Sequence, residues 1–218
     1  MNPSKLFSES DLNQIKKAVE KAERETSGEI VPYVVEMSDT YEVAEWRAGM
    51  LCGALALGGF VAVRQLSEAW LPFDFVEMAL VMMLASAVGA LLIHFVPSLQ
   101  RFFAGKHLMD VRVHQRATQA FVAEEVFATR DRTGILIFLS LLERRVLVLG
   151  DSGINAKVKQ PEWDGIVQLI VSAIRQGKTT EGLIAAIREC CRLLGQHGVT
   201  RRPDDKDELP DTLRIRDR

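Results

Sequence analysis

No bulk property of this chain points to a single chemistry. The formal net charge is −2, so no basic field marks a nucleic-acid binder. There are only three cysteines. Cys52 lies in an apolar run, and Cys190 and Cys191 are adjacent. That spacing excludes a CxxC zinc site and a disulfide framework. The histidines, His94, His107, His114 and His197, show no HxxxH or HExxH spacing. GxSxG, Walker A and GxGxxG patterns are missing as well,. The opening stretch MNPSKLFSESDLNQIKKAVEK has no apolar core, so no secretory signal is expected.

Hydrophobic residues make up 48% of the chain, an ordinary figure. Their distribution is not ordinary. AGMLCGALALGGFVAV runs without charge between Arg47 and Arg64. As a helix it covers ~24 Å, slightly short of a ~30 Å hydrocarbon core. Arg47 and Arg64 are placed to snorkel, and Trp46 suits the interface. A second run from Met78 to Gln100 lacks Asp, Glu, Lys and Arg, and Pro97 marks its end,. The joining stretch RQLSEAWLPFDFVE brings Trp70, Phe73 and Phe75 for an aromatic belt and Pro72 for a turn,. Gly49 with Gly53, and Ala85 with Gly89, are small-xxx-small pairs that let helices approach closely,. Neither run keeps the polar face of a soluble core helix. The reading is a transmembrane hairpin over 48–100, anchored by Trp46, Gly49, Gly53, Trp70, Ala85 and Gly89. Arg101, Lys106, Arg112 and Arg116 follow it, so the positive-inside rule predicts cytoplasmic termini and a cytoplasmic soluble domain on a bacterial inner membrane.

The rest reads as one α/β domain in two pieces. Ser8–Thr26 is an amphipathic helix with Leu12, Ile15, Val19 and Ala22 on one face,. EIVPYVVEM (29–37) is a strand that Pro32 pushes towards an edge or a bulge. A helix over 107–129 follows the hairpin. TGILIFLSLLERRVLVLGD then gives two strands around a turn at Glu143–Arg145. Their continuous apolar runs predict a sheet covered on both faces. Helices from Pro161 to Gln176 and from Thr180 to Gln196 complete the domain, and the charged tail 200–218 is expected to be mobile. The first strand cannot form a sheet alone. The soluble domain is therefore 1–47 with 101–199, and the hairpin is inserted into it.

TSGEIVPYVVEMSD (26–39), TRDRTGILIFLSLLERRVLVLGDSGI (129–154) and DDKDELPD (204–211) together resemble the TPM-domain family, in its bacterial membrane-anchored branch. The resemblance implies a small α/β/α sandwich interrupted by a transmembrane helical hairpin. It implies a choice among weak acid phosphatase activity, divalent-cation binding and assembly or repair of membrane complexes. Cation-binding relatives carry Asp-x-Ala before the first helix, where this chain has LFSESDL.

For chemistry, Asp39 follows the first strand and Asp151 the third. If those strands run parallel, their carboxyl ends share an edge, and Asn155 adds an oxygen for Ca2+ or Mg2+. Arg130 and Arg132 are candidates for a phosphate or an acidic headgroup. Two functions are expected from this. One is a scaffold or assembly factor held in the lipid bilayer, with a membrane-protein partner or self-association and no nucleic acid. The alternative is a divalent-metal-dependent acid phosphatase, which needs Asp39 and Asp151 to converge.

Overall fold

The computed structural model describes residues 6–66, 75–204 and 208–216. Trp70, Pro72 and Phe73 lie outside the described residues. The chain divides into two compact units, Met1–Asp39 with Val111–Arg218, and Thr40–Asp110.

The first unit opens with α1 (Glu9–Glu25). Its start is a reciprocal cap: Ser8 Oγ accepts from Asp11 N at 3.2 Å, and Asp11 Oδ2 accepts from Ser8 N at 2.9 Å,. Ile15, Val19 and Ala22 are buried on one stripe, as their spacing predicts,. The strands are β1 (Ile30–Val35), β2 (Ile135–Ser140), β3 (Arg145–Gly150) and β4 (Arg214–Arg216), ordered β3-β2-β1-β4. β1 runs parallel to β2 and β4, and β3 is antiparallel to β2.

Both faces of the sheet are covered, and the side-chain alternation shows by what. Ile30, Val34, Ile135, Ile137 and Leu139 join a core with α1 and with α7 (Gln160–Arg175) and α8 (Thr179–Gln196). Val31, Tyr33, Val35, Leu136 and Phe138 pack on the other face against Val113, Ala117 and Ala120. Those three belong to α5 (Lys106–Ala123). The result is the expected α/β/α arrangement, with β1 paired to a strand a hundred residues downstream, across the insertion.

Two expectations change. Pro32 does not put its strand at an edge, because β1 is internal. Ile30 N donates to Glu23 and Glu36 N to Arg216, so even-numbered N–H positions of β1 face away from β2. The N–H that Pro32 lacks would point to the β4 side, and β4 begins pairing only at Tyr33. No ladder bond is lost. The tail is not simply a mobile appendage either. Arg214–Arg216 adds a parallel strand, and the buried Arg214 guanidinium is held by Glu124 at 3.2 Å and by the Pro210 and Thr212 carbonyls. Composition alone hides such a strand, since its free energy comes from ladder bonds and this buried ion pair rather than from apolar area.

In the second unit α2 (Glu42–Leu66) and α3 (Phe75–Phe95) pack together, followed by α4 (Pro97–Ala104). α2 and α3 are long and apolar enough to cross a membrane. At 1.5 Å per residue they are about 37 and 31 Å long. A Cβ on Gly49 would lie 3.1 Å from Ser86 O, and one on Gly89 would lie 2.5 Å from Cys52 Sγ. Gly53 is equally close to Ser86. The small-residue positions thus serve the contact between these two helices. At the foot of the pair, His94 Nδ1 lies 2.9 Å from Glu45 Oε1, and Arg47 donates to the Phe103 and Ala104 carbonyls that end α4,.

Candidate functional site

Three polar constellations of the sheet-bearing unit need accounting, and the sequence points clearly to only one of them. The parallel pair β1–β2 ends in a clasp. Ser38 Oγ lies 2.8 Å from Ser140 Oγ, Ser38 N donates to Glu143 Oε1 at 2.8 Å, and Ser140 Oγ donates to Glu143 Oε2. Ser140 and Glu143 are buried. Glu143 is therefore no solvated hairpin tip: it turns inward and ties the β2–β3 turn to the exit of β1. The signal was a Ser closing an apolar strand with a Glu three residues on. Asp39, just beyond, pairs with Arg112 Nε at 2.8 Å.

The second constellation surrounds Asp151. Its Oδ1 accepts from Ser152 N at 2.6 Å, capping the short α6 (Ser152–Asn155), and its Oδ2 lies 2.9 Å from Arg132 Nε,. Asn155 Nδ2 donates to Gly150 O at 2.5 Å. Arg132 also stacks over Phe127 at 5.6 Å,. Arg130 pairs with Asp204 at 2.8 Å and its backbone N donates to Glu208. Arg202 pairs with Asp131 at 2.5 Å. Both candidate anion-binding arginines are thus engaged by carboxylates of their own chain, two of them supplied by the C-terminal segment.

The shared strand edge expected for Asp39 and Asp151 does not form. β3 is antiparallel to β2, so its carboxyl end at Gly150 lies opposite Ile135 and, through β2, beside Ile30 at the start of β1. Asp39 lies beyond the other end of β1. The two acids flank opposite edges of the sheet, separated by the length of a six-residue strand, about 20 Å at the usual rise. A single ion cannot touch both. Among the described residues no three His, Cys, Asp or Glu side chains gather as metal ligands.

The third constellation went unread in the sequence. Glu23 on α1, the buried Glu29 before β1, and Asp211 in the C-terminal segment come together. Glu23 Oε1 accepts from Ile30 N at 3.0 Å, and Glu29 Oε1 accepts from Glu208 N at 3.2 Å. Burial pushes the Glu23 carboxyl up to about 10, helped by its hydrogen bond to Asp211 and the charge of Glu29,. Glu23 is thus held in its neutral form well above the ordinary carboxyl range,. Nothing local distinguishes these acids from solvated ones, because their meeting depends on the path of the tail.

The cysteines behave as small hydrophobes. All three are free. Burial raises the Cys190 thiol far above its ordinary range and lifts Cys191 to about 11, so neither is a ready nucleophile,.

No curated protein matches this sequence. In three dimensions the chain is similar to the BA42 protein of the psychrophilic bacterium Bizionia argentinensis sp. nov., solved by NMR. The two share 20% identity over 96% of this chain and 94% of that one, with a TM-score of 0.59. At that identity the likeness speaks for the fold. The TPM domain model matches residues 76–193, more than half of the chain. With its α/β/α sandwich and this match, the chain belongs to the TPM-domain family.

Proposed function

We propose that this protein is a membrane-anchored TPM-domain scaffold or assembly factor for a membrane-associated complex. One observation carries the anchor. In the apolar windows of α2 and α3, only 17% and 11% of residues are buried. Helices of a soluble core turn their apolar side chains inward. Here Met50, Leu84 and Phe95 are largely exposed, a surface too apolar to leave in water. A bilayer is the solvent that suits it. The basic residues after α3, Arg101, Lys106, Arg112 and Arg116, support cytoplasmic termini on a bacterial inner membrane,.

The scaffold half of the reading rests on how the polar side chains are used. Asp39, Asp151, Arg130 and Arg132 are joined in ion pairs that hold loops and the C-terminal segment. The metal-dependent phosphatase reading needed Asp39 and Asp151 at one ion, and that juxtaposition is missing. The test is purification of the tagged full-length protein from native membranes after mild crosslinking. A reproducible protein partner, and resistance to alkaline carbonate extraction, are the expected outcomes. Release by carbonate would remove the anchor, and recovery of the monomer alone would remove the scaffold.

A further inference from the structure

A furrow of about 340 Å³ runs between α1 and α8. On α1 it is lined by Gln14, Lys17, Ala18, Lys21, Ala22 and Glu25. These recur at helical i, i+3, i+4 spacing, so they form one stripe. From Gln14 to Glu25 the stripe extends for about 16 Å along the helix. Across from it stand Ile184, Arg188 and Cys191 of α8. The floor is small and apolar, and the rims are basic.

The rims carry cations that hold no carboxylate of this chain among the described residues. Elsewhere in the unit Arg112, Arg130, Arg132, Arg202 and Arg214 each hold a carboxylate of the same chain. Lys17, Lys21 and Arg188 are exposed and have no ion pair among the described residues. The single acid of the lining, Glu25, lies at one end and accepts from Cys191 Sγ at 3.5 Å. An unpaired cation on a flat helix face is ordinary. Three around an elongated apolar floor present a complementary shape as well as a charge.

We propose that this furrow docks an amphipathic helix with acidic flanks, carried by the protein partner that the scaffold reading requires. The length decides against a small anion, which would occupy one turn and leave the rest of the furrow empty. The concave apolar floor decides against a lipid surface, which attracts basic side chains without needing a groove. Helix-in-groove docking uses both features: apolar anchors at i, i+3 and i+4 enter the floor, and acids on the flanks meet the rims. Ala18, half-buried on the floor, lets a third backbone come close. Glu25 sets the direction, since the partner's acids belong beside Lys17 and Lys21 and a neutral or basic end beside Glu25.

The inference rests on the scaffold reading, and its test is separable from it. The probe is a fluorescein-labelled synthetic helix with a Leu/Ala stripe and Glu flanks, titrated onto the full-length protein in detergent and followed by anisotropy. Controls are a Lys-flanked helix and a scrambled peptide of the same composition. The Glu-flanked helix should bind best. The triple variant Lys17→Glu, Lys21→Glu, Arg188→Glu should lose at least about tenfold in affinity, more at low salt than at high salt. Ala18→Trp, which fills the floor without changing charge, should weaken binding as well, and Lys157→Glu, outside the furrow, should not. An unchanged melting temperature keeps each variant interpretable, and Ala18→Trp gives a second route should the triple variant not fold. Equal binding of all three peptides would overturn the proposal. So would charge reversals without effect, or binding to phosphatidylglycerol vesicles in place of the peptide. If native partners still co-purify with the triple variant, the furrow assignment fails while the scaffold reading stands. If wild type recovers no partner, the scaffold reading fails first.

Discussion

The two units bury opposite kinds of surface. In the sheet-bearing unit the large apolar side chains point inward, in two layers on either side of β1 and β2, and polar groups reach the surface or meet in pairs. In the unit holding α2 and α3 the small residues point inward and the large apolar ones outward. Water drives the first arrangement, because each apolar side chain it buries stabilises the fold by roughly 1.5–3 kcal/mol. In the proposed bilayer it does not drive the second. There the contact is made by close approach of backbones at Gly49, Gly53 and Gly89, as expected where the surrounding solvent is itself apolar. Hydrophobicity, then, tells which residues avoid water, and the surroundings decide whether they turn in or out.

Glycine substitutions give the sharpest contrast. A Cβ on Gly134, at the start of β2, would overlap the Val126 backbone oxygen. Gly134→Ala should therefore destabilise the sheet-bearing unit by about 3 kcal/mol or more, because backbone must move. Gly58→Ala, where nothing lies within 4 Å, should leave stability unchanged or slightly raised. Thermal melts of the two variants make the comparison, and equal melting temperatures would contradict it.

The outward face of α3 offers the next largest effect. Leu84 is 67% exposed. On a soluble helix Leu84→Arg would be harmless or helpful. In a bilayer it costs about 2.5–3.5 kcal/mol of insertion free energy near the helix centre. The expected outcome is a fall in the membrane-integrated fraction, measured in a glycosylation-mapped insertion assay. Normal expression with a better-behaved soluble protein would favour the water-facing alternative.

The smallest effect concerns the buried acids. Folded Glu23 holds its proton up to about pH 10, whereas the unfolded chain releases it in the ordinary carboxyl range. Between those limits the folded state binds more protons, so stability falls as pH rises through the window. Glu23→Gln keeps a neutral hydrogen-bonding group beside Asp211 and abolishes the titration. Its melting temperature should vary less between about pH 6 and 9 than that of wild type. At the upper end it should exceed wild type, by a margin that grows with pH. Parallel curves for the two proteins would show that Glu23 is already ionised.

How much was legible depended on the range of the interactions. α1 was readable because its cap and its stripe lie within a few residues of each other, as Ser8, Asp11, Ile15 and Val19 show. The hairpin was readable because apolar runs need no partner to be recognised. β2 and β3 were readable because a short turn joins them. The direction of β3 relative to β1 was not, since it depends on β2 lying between them. Reading Asp39 and Asp151 as neighbours followed from assuming that direction.

Local patterning by itself determined α1, the first three strands, α5, α7 and α8, the two apolar helices and the need for β1 to find its partners beyond the hairpin. Only the tertiary structure decided that β1 is central, that the charged tail supplies β4, that Asp39 and Asp151 lie at opposite edges, and that Glu23 meets Asp211. The reason is physical. A helix cap or an apolar run is fixed by neighbours within a turn or two. A buried polar contact is fixed by where distant segments come to rest, and its strength comes from the water that their meeting removes.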